Sequence, residues 1–112
     1  MVFGLQYVSK GLINKAILAF ATSILFAPDS VEANYNLGVA CQTKGWYLEA
    51  IRQYENTLIL RRDYADAHVN LGISCAETGR IDSAIEHLRE AVRLRPDDEE
   101  ARYNLEKALK LK

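Results

Sequence analysis

Slid by 34 residues, the sequence falls onto itself, and this period constrains the fold more than any other feature. Asn36-Leu37-Gly38 lands on Asn70-Leu71-Gly72, and Asn104-Leu105 lands on both. Gly11, Gly45 and Gly79 align, as do Ala16-Ile17, Ala50-Ile51 and Ala84-Ile85. Phe26, Leu60 and Leu94 follow, then Pro28, Arg62 and Pro96. Cys41 and Cys75 hold the same place in successive units, which marks them as small packing residues. They form no CxxC pair, and His68 and His87 are not spaced as zinc partners for them.

Each unit reads as two helices. From Val31 to Lys44, Ala33, Leu37, Ala40 and Cys41 form one apolar stripe at helical spacing. Gly45 can end that helix by taking a left-handed backbone conformation. A second stripe runs through Tyr47, Ala50, Ile51, Tyr54, Thr57 and Leu58. The next unit repeats both stripes around Gly79. Gly38, Gly72, Ala50 and Ala84 are small where paired helices must approach closely. One hairpin cannot bury its stripe alone, so neighbouring units must stack. The expected fold is all-α, with about three stacked hairpins.

The pattern resembles the tetratricopeptide repeat family. The resemblance rests on the Leu-Gly pair, the central glycine, the Ala-Ile pair, the aromatic or leucine after it and the closing proline. It spans residues 1–112 as a single domain: a partial N-terminal repeat (1–30), repeats at 31–64 and 65–98, and a terminal capping helix at 99–112. Two positions depart from it. The signature tryptophan of the first helix is replaced by Asn34, His68 and Arg102, and the closing proline is Arg62 in the middle repeat; both weaken a repeat slightly. The resemblance implies a right-handed superhelical array whose first helices line a concave groove for a protein or peptide partner.

Groove positions are those of the first helix turned away from its packing stripe. They are Glu32, Tyr35, Asn36, Val39 and Gln42, then Asp66, Val69, Asn70, Ile73 and Glu77, then Glu100, Tyr103, Asn104 and Lys107. Asn36, Asn70 and Asn104 form a ladder of amides, each offering a donor and an acceptor to the backbone of an extended peptide. The same residues could instead order the contact between helices. Tyr35, Val39, Val69, Ile73 and Tyr103 are expected to be exposed, as anchor-pocket residues are. Glu32, Asp66, Glu77 and Glu100 tilt the groove acidic and favour a ligand carrying Lys or Arg. A subset of the family clamps a C-terminal carboxylate with Lys and Arg. Here those places hold Glu100 or Asp66, so a carboxylate clamp is not expected. Trp46, beside Gly45, is either a partner anchor or a ring lying on a neighbouring helix.

A formal net charge of −1 gives no basic field for nucleic acid. The sequence has no GxSxG, no phosphate-binding glycine loop and no HExxH. Glu86, His87 and Glu90 read as a solvated helix face. Binding without catalysis, metal or cofactor is the expectation.

The N-terminal segment differs from the rest. Residues 1–30 carry only Lys10, Lys15 and Asp29 of the chain's 14 basic and 15 acidic side chains. The uncharged run Ala16–Ala27 is too short to span a bilayer and keeps the repeat register, so it reads as a repeat helix rather than a signal peptide. That favours a cytoplasmic chain with no transmembrane segment. At outward positions the later units have Arg52, Gln53 and Glu55, then Glu86, His87 and Arg89, where this one has Leu18, Ala19 and Ala21. Leu25 stands where the third unit has Arg93. A terminal repeat needs a polar outer face, so this N-terminal hairpin is expected to be covered. The cover is a second copy (homo-oligomerisation through Leu18, Ala21 and Leu25), further repeats, another protein, a membrane surface, or residues 1–10 packing locally.

Overall fold

The computed structural model describes the backbone of residues 2–112 and the side-chain surroundings of residues 11–112. Local packing of residues 1–10 over the N-terminal segment therefore lies outside the described residues. Six helices follow one another: α1 (Val2–Phe26), α2 (Val31–Thr43), α3 (Tyr47–Leu60), α4 (Ala65–Glu77), α5 (Ile81–Leu94) and α6 (Glu99–Leu111). There is no strand among the described residues.

The period sets the turns. Gly45 and Gly79 have φ of 86° and 80°, the left-handed values that glycine adopts without a Cβ clash. The amides of Trp46 and Arg80 each reach back 2.8 Å to the carbonyls of Cys41 and Cys75. Gly45 and Gly79 donate to Gln42 and Ala76. This paired arrangement satisfies the last carbonyls of α2 and α4 and sends the chain straight into the next helix. Ser30 and Asp98 cap α2 and α6 by accepting from the amides of Ala33 and Ala101.

Within each hairpin the glycine of the first helix meets a large side chain of the second. A Cβ on Gly38 would lie 2.5 Å from Tyr54 Cε1, and one on Gly72 would lie 2.6 Å from Leu88 Cγ. The core runs continuously through Leu37, Cys41, Ile51, Tyr54, Leu71, Cys75, Ile85 and Leu88, and α6 closes it with Ala101 and Ala108. Burying a leucine such as Leu88 contributes about 1.5–3 kcal/mol. Both cysteines are free and buried, and burial pushes both thiols up, as expected of packing residues.

One expectation is corrected. The N-terminal segment is not a hairpin, because α1 runs unbroken through Gly11. A Cβ at Gly11 would meet nothing within 4 Å, and a glycine inside a helix costs only about 1 kcal/mol, so the helix continues through it. The residues at the signature tryptophan position make contacts of their own. Buried Asn34 donates through Nδ2 to the carbonyls of Pro28 and Ser30 at 3.2 and 2.8 Å. One period later, His68 Nε2 lies 3.0 Å from the Arg62 carbonyl, so it donates there. Different side chains thus fasten the same loop to the same helix.

Candidate functional site

The first helices α2, α4 and α6 lie side by side, and Tyr35 joins the first two. Its ring is 4.9 Å from that of Tyr64 and 5.8 Å from that of Tyr54, centroid to centroid. Its hydroxyl accepts from Asn70 Nδ2 at 2.9 Å. Burial, and secondarily the charge of Asp66, pushes the phenol of Tyr35 up to about 12, so it stays protonated. Tyr54 is fully buried and donates to Gln42 Oε1 at 2.6 Å.

The three asparagines share a register but not an environment. Asn36 is exposed. Asn70 is half-buried and uses one amide hydrogen on Tyr35. Asn104 is half-buried and donates to the backbone carbonyl of Glu100 at 2.9 Å. The amide oxygens of Asn70 and Asn104 accept nothing in these bonds. Val39 and Ile73 are half-buried, and Tyr103 is 63% exposed.

Val69 departs from expectation: at 4% exposure it belongs to the core, not to a groove wall. Its helix is flanked on both sides, by α2 and α6, and a short valine is covered there. The equivalent Tyr103 sits on α6, which among the described residues has a first-helix neighbour, α4, on one side only.

Between α4, α5 and α6 lies a pit of about 260 Å³. Ile73, Ala76 and Leu111 supply apolar walls, and Glu77, Asn104 and Lys107 supply polar ones. Glu32, Asp66 and Glu100 are all exposed, one helical turn before the three asparagines. Asp66 is 3.4 Å from Arg95, with both groups about half-exposed, an arrangement that contributes little to stability.

The N-terminal positions lie elsewhere. Leu18 and Leu25 are 69% and 82% exposed, and Ala21 is half-buried. Ala21 and Ile17 form one wall of an apolar cavity of about 660 Å³ whose other wall is Trp46, Tyr47 and Leu48. The Trp46 ring is 48% exposed, with the Lys44 ammonium 4.6 Å above it. Lys44 also donates to Asn14 on α1.

His87, expected on a solvated helix face, is partly buried instead, against buried His68. His68 Nδ1 and His87 Nδ1 face each other at 3.4 Å, over a cavity edged by Arg62, Asp63, Glu86, Glu90 and Arg93. Nothing in the helical spacing singles out this contact, because it joins two helices through 19 residues of sequence. No three His, Cys, Asp or Glu side chains among the described residues are arranged to hold a metal ion. No helix among them is long and apolar enough to cross a membrane.

A family model for the tetratricopeptide repeat matches residues 29–97. No curated protein matches the chain by sequence. Among solved structures, the first such domain of Spaghetti (RPAP3), bound to the HSP90 peptide SRMEEVD, is similar with a TM-score of 0.88 and 19% identity, over 96% of this chain and 86% of that one. The second such domain of human RPAP3, in complex with the HSP70 peptide SGPTIEEVD, gives 0.85 and 20%, over 95% of this chain and 88% of that one. At these identities the likeness is one of fold. MamA is similar at 0.85 and 29% identity, over 96% of this chain and 58% of that one.

Proposed function

The chain belongs to the tetratricopeptide repeat family, and from that premise we propose that it is a protein-interaction module that binds an extended peptide segment in the groove formed by α2, α4 and α6. The observation that carries this reading is the pit between α4 and α6. There Ile73 and Leu111 offer an apolar anchor site beside the amide of Asn104 and the opposite charges of Glu77 and Lys107. Apolar pockets with a few placed polar groups are the usual form of such sites. Asn36 and Asn70 continue the row of amides toward α2 and suit the backbone of an extended ligand. That two structures of the same fold hold peptides supports the same reading.

The ligand class differs from theirs. The peptides in those two structures end in Glu-Glu-Val-Asp. Glu32, Asp66 and Glu100 are exposed on the first helices, and in this reading they would face such a tail. Like charges repel across an interface, so the preferred segment is basic. The chain acts by binding, and no step of chemistry is assigned to it.

The test is to select peptides from a random displayed library on the chain. Affinities of the best binders are then measured by calorimetry for the wild type, Asn36→Ala, Asn70→Ala and Ile73→Ala. Selected peptides should be enriched in Lys and Arg, and Ile73→Ala should weaken them by about tenfold or more. Peptides that bind all four proteins equally would remove the groove reading.

A further inference from the structure

We propose that His68 and His87 bind a zinc ion between their Nδ1 atoms, at the seam of α4 and α5. The two histidines belong to neither the pit nor the row of amides in the groove. The spacing that excludes them as zinc partners of the cysteines leaves them free to act with each other.

The separation of the two nitrogens carries the argument. His68 Nδ1 and His87 Nδ1 stand 3.4 Å apart. That is at the long end for a hydrogen bond. Two nitrogens bound to one tetrahedral zinc at about 2.0–2.1 Å stand about 3.3–3.4 Å from each other. Neighbouring ligands of an octahedral ion at that radius would stand closer, at about 2.9 Å. The ring centroids are 5.6 Å apart, so the rings meet by their nitrogen edges and do not stack. A small turn of the half-buried His87 ring brings both lone pairs to one point. Imidazole suits zinc and its transition-metal neighbours, whereas calcium and magnesium take oxygen ligands.

His68 is oriented for this by the backbone. Its Nε2 lies 3.0 Å from the Arg62 carbonyl, which only accepts, so the lone pair of the neutral ring is on Nδ1. A zinc-ligating histidine characteristically donates its other nitrogen to such a carbonyl, which fixes the ring and raises its basicity. His68 is 8% exposed and has no room to swing away. On binding, the His87 hydrogen passes from Nδ1 to Nε2 by exchange with water. Both rings then bind neutral, and no proton leaves the protein.

The surroundings favour a cation. The cavity beside the pair, about 590 Å³, is edged by three carboxylates, Asp63, Glu86 and Glu90, against two guanidiniums, Arg62 and Arg93. Arg93 is itself held by Glu90 through two bonds of 3.0 Å. No third His, Cys, Asp or Glu among the described residues is arranged to join the two imidazoles, so water fills the remaining positions. The ion would tie α4 to α5 across one hairpin.

The preceding repeat is the internal control. It has Asn34 and Gln53 in the places of His68 and His87. Asn34 fastens its own loop by donating to the Pro28 and Ser30 carbonyls. The loop therefore needs a donor there, not an imidazole, and a facing pair of imidazoles is what a zinc ion needs.

The experiment is calorimetric titration of the full chain with zinc at neutral pH, with magnesium as the comparison. The wild type should take one zinc ion with a dissociation constant below about 100 μM and should not respond to magnesium. Zinc should also raise the thermal midpoint, and EDTA should reverse the rise. His87→Gln and His68→Asn, which copy the preceding repeat, should each weaken zinc about tenfold or more while keeping the helical circular dichroism. If His68→Asn fails to fold, His87→Gln alone decides. A wild type that binds no zinc overturns the proposal. So does zinc binding that His87→Gln leaves unchanged, which would place the ion elsewhere on the chain.

Discussion

His68 and His87 share one contact across the α4–α5 hairpin, Nδ1 to Nδ1 at 3.4 Å. The Arg62 carbonyl can only accept, so His68 carries its proton on Nε2 when neutral, and its Nδ1 is then an acceptor. His87 must supply the hydrogen between them. A second proton on the pair would set two cations face to face.

His87 is accordingly held below its ordinary value, first by burial and then by His68, with Glu86 and Glu55 opposing. A base whose folded pKa is depressed binds fewer protons folded than unfolded. Its contribution is therefore fully present above the unfolded value, near pH 6.5, and is lost as pH falls through the folded one. Thermal unfolding followed by circular dichroism should show the midpoint dropping from about pH 7 to about pH 5. His87→Gln, which installs the residue of the preceding repeat (Gln53), should flatten that drop. An unchanged slope would show that the pair is not the sensor.

Gly72→Ala should destabilise the hairpin by about 1–3 kcal/mol, because the new methyl would fall 2.6 Å from Leu88 Cγ. Leu88 is 1% exposed and cannot move aside. In a Leu88→Ala background the same change should cost far less. Denaturant titration of the four proteins measures that coupling, and strict additivity would contradict the contact.

Ser74→Ala should stabilise the fold by about 1 kcal/mol. The Ser74 hydroxyl is buried without a hydrogen-bond partner, and the equivalent positions hold Ala40 and Ala108. A lower urea midpoint for the variant would count against this.

Tyr35→Phe separates two roles of Asn70. It removes the hydroxyl that accepts from the Asn70 amide while leaving the ring against Tyr64. Stability should fall by about 0.5–1.5 kcal/mol. Peptide affinity should hold, whereas Asn70→Ala should reduce it. Equal losses of affinity would mean that Asn70 only orders the helices.

Much of the fold was legible in the chain because it depends on local spacing repeated. Gly45 and Gly79 could be placed as turns, and Gly38 and Gly72 as close contacts, from register alone. The candidate groove was less legible. Asn36, Asn70 and Asn104 are identical in sequence, yet one is exposed, one is bonded to Tyr35 and one is bonded to its own helix. Val69 and Tyr103 share a position and end in opposite environments, because one helix is flanked on both sides and the other on one. Period cannot carry that information, since it is a property of neighbours.

By itself the sequence determined the helices, their order, the pairing of first with second and the bare outer face of α1, all through side-chain spacing and chain-local turn chemistry. Only the tertiary structure decided that α1 runs straight through Gly11, that Asn34 and His68 fasten equivalent loops, and that His68 meets His87. Those outcomes depend on what stands across the gap between elements, and burial and hydrogen bonding there are set by distances that no spacing along the chain encodes.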